Sequence, residues 1–313
     1  MQKRKHRWWI AIIIVLLILP VTGSVLYVLL EPRASSRTAV SPANVSFLKN
    51  FVPENYQTVP TKREQIFQGN LILVNSKNSC RAGTENFTRV YDEKNKAYKV
   101  KDKSVMMHKC AMLPMNQMMD AFYQETGIRD VLAMSGYRSE EEQAQIFQQK
   151  AEAKGEQEAS KWAAYPGYSE HHTGYAIDLS IYHDNGHSEA FRGQGKYRWI
   201  SENCHRYGFI VRYYEDKTPL TGVKYEPWHL RYIGVPHAEL LTQRGFCLEE
   251  YIAYLKVYSF DTEHLIIETK DRKQYEVYYV PAKTDITDVP VPKDREYTIS
   301  GDNMEGFIVT CEL

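Results

Sequence analysis

The sequence predicts an α+β fold for most of this 313-residue chain. Apolar runs typical of strands occur at residues 131–134 and 209–213, and helical patterns occur at residues 115–126 and 139–160. These segments show no regular βαβ repeat, so a sheet built only from parallel crossover units is not expected. Hydrophobic residues make up 43% of the chain and charged residues 25%, which is typical of a globular protein.

The first thirty residues are typical of a membrane anchor. Residues 8–30 contain no charged side chain, and as a helix they would be roughly 35 Å long, enough to cross a bilayer. Residues 1–7 are rich in Lys and Arg, which favours a cytoplasmic amino terminus. We therefore expect a single-pass protein of the cell membrane, with the remaining chain outside the cytoplasm. A cleaved signal peptide is the alternative, although no clear small-residue cleavage site follows.

Composition divides the rest of the chain into three regions. Residues 31–66 contain four prolines among Ser, Thr and Asn, and we expect a linker or stalk there. Residues 67–258 have the mixed helix and strand patterns of a catalytic domain. Residues 259–313 are β-rich and predict a small carboxyl-terminal domain, either a passive cap or a binding element.

Two helices of the central region have clear boundaries. Ser139 is a good N-cap for the helix that follows it, and Glu142 occupies the capping-box position. The apolar pattern at residues 197–207 predicts another helix, which Gly208 would end. Residues 176–181 partly alternate between apolar and polar, so we expect a strand that directs Asp178 inward.

Two separate segments carry the residue types of a catalytic zinc site. Residues 169–178 read SEHHTGYAID and residues 226–229 read EPWH. Catalytic zinc sites use three ligands drawn from His, Asp and Glu, and a further carboxylate serves as general base. The H-E-x-x-H pattern is absent, so the two histidine ligands must come from segments that are distant in sequence.

A third segment supplies a candidate substrate-binding residue. Residues 135–143 read SGYRSEEEQ, which places Arg138 just before a predicted helix. The planar guanidinium group of an arginine can hold a carboxylate or donate to a developing oxyanion.

The three segments, written S-x-H-x-x-G-x-A-x-D, E-P-W-H and S-G-Y-R-S-x-x-x-Q, resemble those of VanY-type zinc D-alanyl-D-alanine carboxypeptidases. The resemblance covers residues from about 70 to 251 and extends to the related VanX-type dipeptidases and L,D-carboxypeptidases. It implies a mostly antiparallel sheet with flanking helices, the zinc DD-peptidase or Hedgehog-like fold. It also implies that Zn²⁺ is held by His171, Asp178 and His229, and that Glu226 is the general base. His172 does not satisfy the family's seven-residue spacing from histidine to aspartate.

The resemblance also implies a substrate and the residues that face it. Arg138, Ser139, Gln143 and Ser169 are expected at the substrate, which would be a peptidoglycan stem peptide ending in D-Ala-D-Ala. Removal of the terminal D-alanine would contribute to glycopeptide resistance or to wall maturation.

Several alternatives remain at this point. An L,D-carboxypeptidase acting on tetrapeptide stems and an inactive, zinc-containing wall-binding protein both fit the motifs. A VanX-type dipeptidase fits less well, because its dipeptide substrate is cytoplasmic and a membrane anchor is expected here. A nucleic-acid partner is not expected, because the formal net charge is zero and no basic run follows the amino terminus.

The five cysteines include no C-x-x-C pair. Outside the cytoplasm disulfides can persist, so a bridge between Cys204 and Cys247 is expected around the third metal segment. Cys80 and Cys110 form a second candidate pair, with buried free thiols as the alternative.

Overall fold

Two mostly antiparallel sheets organise the part of the chain that the computed structural model describes, residues 44–49 and 51–313. The strands are β1 Asn44–Leu48, β2 Tyr56–Lys62, β3 Phe87–Arg89, β4 Lys99–Val100, β5 Met106–His108, β6 Val131–Ser135, β7 Ala176–Tyr182, β8 Ser188–Ala190, β9 Phe209–Tyr213, β10 Glu226–Tyr232, β11 His264–Glu268, β12 Gln274–Pro281, β13 Ile286–Pro292, β14 Tyr297–Gly301 and β15 Gly306–Glu312. The helices are α1 Val90–Glu93, α2 Lys109–Thr126, α3 Glu140–Lys154, α4 Glu156–Ala159, α5 Arg198–Asn203, α6 Thr218–Thr221, α7 Val235–Arg244 and α8 Leu248–Leu255.

The six-stranded sheet has the order β4-β6-β7-β10-β9, with β8 paired to β7. All its pairs are antiparallel except β4 with β6. Helix α2 packs on this sheet through a methionine stripe of Met115, Met118 and Met119, whose side chains are fully buried. The expected α+β fold with a mostly antiparallel sheet is therefore confirmed for the described residues.

Helix α3 begins where the sequence predicts. The hydroxyl of Ser139 accepts a hydrogen bond from the backbone N–H of Glu142, and the Glu142 carboxylate accepts one from the backbone N–H of Ser139. The capping box fixes the direction in which the preceding arginine segment enters the helix. The helix ends at Lys154, six residues earlier than expected, because Gly155 leaves the helical conformation with φ of 81°.

The β-rich carboxyl-terminal region shares a core with the central region. Its five-stranded sheet has the order β1-β11-β12-β15-β14. Leu265 and Ile267 of β11 pack in one apolar cluster with Leu240 of α7 and with Leu248 and Ile252 of α8. The described residues form one compact unit. This corrects the expectation of a separate small domain at residues 259–313.

The prediction of a linker at residues 31–66 is also wrong for the residues that the structure describes, because they contain two paired strands. Strand β1 pairs with β11, and β2 pairs with β13 in a two-stranded ribbon. Of the prolines that suggested a linker, Pro60 lies in β2 of this ribbon, and Pro290 lies in its partner β13. A two-stranded ribbon leaves both outer edges unpaired, so it tolerates residues without an N–H group.

The predicted membrane anchor at residues 8–30 lies outside the described residues. Within the described part of the chain, no helix is both long enough and apolar enough to span a bilayer.

The cysteines are free thiols in the structure, which corrects both predicted disulfides. Cys204 is buried in the apolar cluster beneath the six-stranded sheet. Cys247 is a buried residue at the N-cap of α8. Cys110 has the imidazole of His108 as its neighbour, at 3.1 Å.

Replacement of Phe307 by Ala tests whether the carboxyl-terminal strands support the catalytic region. Phe307 on β15 is fully buried, so its loss should lower the free energy of unfolding by about 3–5 kcal/mol in one cooperative transition. Phe47 on β1 is 48% exposed, and Phe47→Ala should cost much less. Urea denaturation followed by fluorescence measures both. A separate early transition in Phe307→Ala, with the rest unchanged, would show an independent appendage.

Candidate active site

Adjacent strands bring the three predicted metal ligands together. Asp178 on β7 lies directly opposite His229 on β10 in the antiparallel register. His171 lies on a short 3-10 helix just before β7, which Gly174 ends with φ of 70°. The Asp178 carboxylate lies 3.2 Å from Nε2 of His171 and 3.0 Å from Nδ1 of His229. One ligand atom from each residue lies within 4.8 Å of the other two, which is the arrangement of a metal site.

The hydrogen bonds of the two imidazoles identify the nitrogens that face the metal position. Nδ1 of His171 lies 2.6 Å from the carbonyl oxygen of Gly136, and Nε2 of His229 lies 3.3 Å from the Glu170 carboxylate. These acceptors require the N–H on those nitrogens, so Nε2 of His171 and Nδ1 of His229 are left as ligands. Two neutral imidazoles and one carboxylate form a donor set that suits zinc.

Glu170 is a functional residue that sequence reasoning missed. Its carboxylate is completely buried and accepts hydrogen bonds from Arg212 and Arg231, each at 2.8 Å. Burial acts to raise the pKa of Glu170, but the two guanidinium groups outweigh it and hold the pKa well below its usual value. Arg212 also binds the Glu249 carboxylate through two nitrogens, at 2.9 and 2.7 Å. The orientation of His229 therefore depends on a buried network that reaches α8.

Glu226 has the properties of a general base. It lies at the start of β10, where the pairing with β9 shifts its register, and it is 8% exposed. Burial raises the pKa of Glu226 to about 7, with His229 acting to lower it and Asp178 to raise it. It lines the same cleft as the three ligands but is not one of their group. A carboxylate with this pKa can accept and return a proton near neutral pH.

Arg138 lies against the metal ligands. Its guanidinium donates to the Asp178 carboxylate, to the Ser135 hydroxyl at 2.8 Å and to the Gln143 side chain at 3.3 Å. Gln143, predicted to bind substrate, is buried, and it also donates to the carbonyl oxygen of Ala164 at 2.8 Å. It therefore positions Arg138.

The two predicted serines differ in position. Ser169 lines the cleft, and its hydroxyl accepts a hydrogen bond from the backbone N–H of His171 at 3.3 Å. The Ser139 hydroxyl is instead engaged in capping α3, and Ser139 does not belong to the cleft lining among the described residues. The structure gives Ser139 a helix-capping role, and its predicted substrate contact stays a prediction.

His172 points away from the metal position. Its Nδ1–H donates to the carbonyl oxygen of Arg138 at 2.8 Å, and its Nε2 accepts from the backbone N–H of Gly167 at 3.1 Å. The ring thus connects the arginine segment to the chain at Gly167. Its neighbour His171 is the ligand, as the spacing indicates.

The cleft above the ligands has a volume of about 160 Å³. A buried His/Asp/His cluster, a nearby carboxylate with a raised pKa and an arginine define a metal-dependent hydrolase. Residues 104–235, which contain all these groups, match the family model described as VanY: D-alanyl-D-alanine carboxypeptidase.

Comparisons with individual proteins extend beyond the site. The chain is 36% identical over 263 residues to a D-alanyl-D-alanine carboxypeptidase of Enterococcus faecium, covering 82% of this chain and 80% of that protein. It resembles the structure of the vancomycin-resistance D,D-dipeptidase VanXYg bound to a D-Ala-D-Ala phosphinate analogue, with a TM-score of 0.73 and 32% identity over 82% of this chain and 99% of that one. VanYB in complex with D-alanine-D-alanine gives a TM-score of 0.50 at 34% identity, over 60% and 99% of the two chains.

The chain therefore belongs to the VanY family of D-alanyl-D-alanine carboxypeptidases. It is a zinc metallocarboxypeptidase, and the His/Asp/His cluster fits its metal. The inactive wall-binding protein, considered from sequence, is set aside. The match to the E. faecium enzyme is longer than the predicted catalytic domain of residues 67–258, which agrees with a fold in which the flanking strands are integral.

Substitution of the two adjacent histidines tests the ligand assignment. His171→Ala should lose zinc and turnover. His172→Ala should keep zinc and lose roughly 5- to 10-fold in kcat/KM, because one hydrogen bond that holds the Arg138 backbone is removed. Elemental analysis and peptide hydrolysis measure the two effects. Equal zinc loss in both variants would contradict the assignment.

Glu170→Gln tests the buried contact to His229. The isosteric amide removes the charge that favours an N–H on Nε2 of His229, so zinc affinity should fall roughly 10- to 100-fold. Competition with a metal chelator measures the affinity. Glu140→Gln, on the exposed first turn of α3, is the control and should leave it unchanged. An unchanged zinc affinity in Glu170→Gln would show that Glu170 only neutralises the charges of Arg212 and Arg231 and does not orient His229.

Proposed function

We propose that this chain removes the terminal D-alanine from peptidoglycan stem peptides that end in D-Ala-D-Ala. The observation that carries the proposal is the position of Glu226. It is a buried carboxylate with a pKa raised to about 7, and it lines one cleft with the three ligands and Arg138. Relatives that share the fold and the motifs are D-Ala-D-Ala carboxypeptidases and dipeptidases, which supports this substrate class.

The chain's own residues can carry the proton transfers of the reaction. Bound zinc would polarise the scissile carbonyl and lower the pKa of the attacking water. Glu226 accepts the proton of that water and returns it to the amine that leaves. Arg138, held by Ser135 and Gln143, directs N–H groups toward the ligand cluster, where the carbonyl oxygen becomes negative.

The setting of the reaction is part of the proposal. The apolar stretch at residues 8–30 and the basic residues before it support an anchor with the catalytic part outside the cytoplasm. Stem peptides of the wall and its lipid precursors are available there. Loss of the terminal D-alanine removes the group that vancomycin-type antibiotics bind, which supports a role in resistance.

The purified full-length chain should release D-alanine from a stem pentapeptide with a higher kcat/KM than from the free D-Ala-D-Ala dipeptide. Contacts to the rest of the stem add binding energy that the dipeptide lacks. Mass spectrometry of the products identifies the bond that is cut. Faster cleavage of the dipeptide would favour a dipeptidase, and faster cleavage of a tetrapeptide stem would favour L,D specificity.

Glu226→Gln is the matched inactive variant for this assay. It should keep zinc and lose roughly 10²- to 10⁴-fold in turnover, because it removes the base and leaves all three ligands. Near-normal turnover with bound zinc would show that another group activates the water.

A further inference from the structure

A carboxylate on α8 holds the arginine that contacts the buried Glu170. Arg212, on β9, donates through Nε to Oε1 of Glu170 at 2.8 Å. Its two Nη groups donate to Glu249 on α8, at 2.9 and 2.7 Å. The Glu249 carboxylate also accepts a hydrogen bond from the Asn75 side chain at 3.2 Å. One guanidinium group thus divides its donors between two carboxylates, and only its Nε serves the carboxylate beside the metal site.

This division leaves one oxygen of Glu170 available to His229. Oε1 of Glu170 accepts from Arg212 and from Arg231, whereas Oε2 lies 3.3 Å from Nε2 of His229. A guanidinium group prefers to bind a carboxylate through two parallel N–H bonds, which would occupy both oxygens. Because Glu249 already engages both Nη groups of Arg212, that arrangement does not form with Glu170. His229 therefore meets no competing donor from Arg212 at Oε2.

Arg231 has its other donors engaged by the backbone. Its Nη2 donates to the carbonyl oxygens of Asn70 and Ile72, at 3.0 and 2.8 Å, and its Nη1 donates to Oε1 of Glu170 at 2.8 Å. Fixed backbone groups thus hold Arg231 in place. Arg212 is the arginine whose second contact depends on a side chain, that of Glu249.

The charges of these buried groups also depend on Glu249. The side chains of Arg212, Arg231 and Glu170 are 0% exposed, and that of Glu249 is 16% exposed. Burial acts to raise the pKa of Glu249, but Arg212 outweighs it and holds the pKa below its usual value. Two positive and two negative charges then cancel. Loss of Glu249 would leave a positive charge uncompensated near the position of a divalent cation, which opposes metal binding.

The carboxyl-terminal sheet determines where Glu249 lies. Glu249 is in the first turn of α8, next to Leu248. Leu248 and Ile252 of this helix pack in one apolar cluster with Leu265 and Ile267 of β11. The position of the Glu249 carboxylate at Arg212 therefore follows from the packing of α8 on strands that lie outside the metal-binding segments.

We infer that Glu249 is a positioning residue for the metal site. By holding both Nη groups of Arg212, it reserves Oε2 of Glu170 for His229 and so fixes the imidazole whose Nδ1 faces the metal position. The carboxyl-terminal sheet, which places α8, thereby contributes to zinc affinity. This role does not depend on which peptide the enzyme cleaves.

Glu249→Gln tests this role, because it removes the charge and one acceptor oxygen with little change in shape. Zinc affinity, measured by competition with a chelator, should fall roughly 10-fold, the lower end of the range for groups that orient metal ligands. NMR of the zinc-loaded chain with nitrogen-15-labelled histidine gives a second measurement. The Nε2–H of His229 should exchange faster with water in the variant, because Arg212 then competes for its acceptor.

Glu250→Gln is the matched control at the neighbouring position. Glu250 binds the buried ammonium of Lys217 at 2.8 Å, and within the described residues Lys217 has no bond to Glu170. Both variants lose an ion pair and should lower Tm. Only Glu249→Gln should change the zinc affinity and the exchange of the His229 N–H. A lower Tm in Glu249→Gln with both of these unchanged would overturn the positioning role and leave only a structural ion pair.

Combining Glu249→Gln with Glu170→Gln tests whether the effect passes through Glu170. If it does, the double variant should have the zinc affinity of Glu170→Gln alone, because the connection to His229 is already interrupted. Additive losses would show that Glu249 acts on the metal through its charge alone, and would also overturn the positioning role.

Discussion

The pairing of β7 with β10 is the constraint on which the site depends. The antiparallel register places Asp178 opposite His229, and both side chains then point to the same face of the sheet. A slip of one residue would turn one of them to the other face and separate the ligands. Only two residues separate the 3-10 helix that carries His171 from β7, so the position of the third ligand is tied to the same strand. Three ligands thus depend on one strand pair and the turn before it.

Two neighbouring carboxylates show how environment decides function in this site. Glu170 and Glu226 are both almost completely buried. Two arginines hold the pKa of Glu170 well below its usual value, so it stays charged and orients His229. Burial dominates at Glu226 and raises its pKa to about 7, so it can exchange protons. Removal of Arg212 or Arg231 would leave part of the buried negative charge of Glu170 uncompensated, which would destabilise the fold.

The metal ligands could be predicted from the sequence, but the groups that orient them could not. His171, Asp178 and His229 are recognisable because their spacing is set within short segments. Glu170 adjoins His171, yet its partners Arg212 and Arg231 are 42 and 61 residues away, and only folding brings them together. The contact between His172 and the Arg138 backbone could not be predicted either, because the two residues are 34 positions apart and only folding brings them together.

The pairing of β2 with β13 and the packing of β11 could not be predicted from the sequence, for a different reason. Prolines in β2 and β13 are typical of linkers, and only the pairing of these two strands with each other makes them tolerable. The β-rich composition of residues 259–313 indicated strands but could not show that β11 packs on α7 and α8. The cysteine pairing failed because positions in the sequence do not show where folding places each thiol.

A crystal structure of the zinc-loaded chain with anomalous scattering at the zinc edge tests the central claim most directly. The account predicts one zinc peak about 2.0–2.2 Å from Nε2 of His171, from a carboxylate oxygen of Asp178 and from Nδ1 of His229. It also predicts that Nε2 of His229 keeps its contact to Glu170 while Glu226 remains outside the coordination sphere. A peak bound through His172, through Nε2 of His229 or through Glu226 would contradict the account.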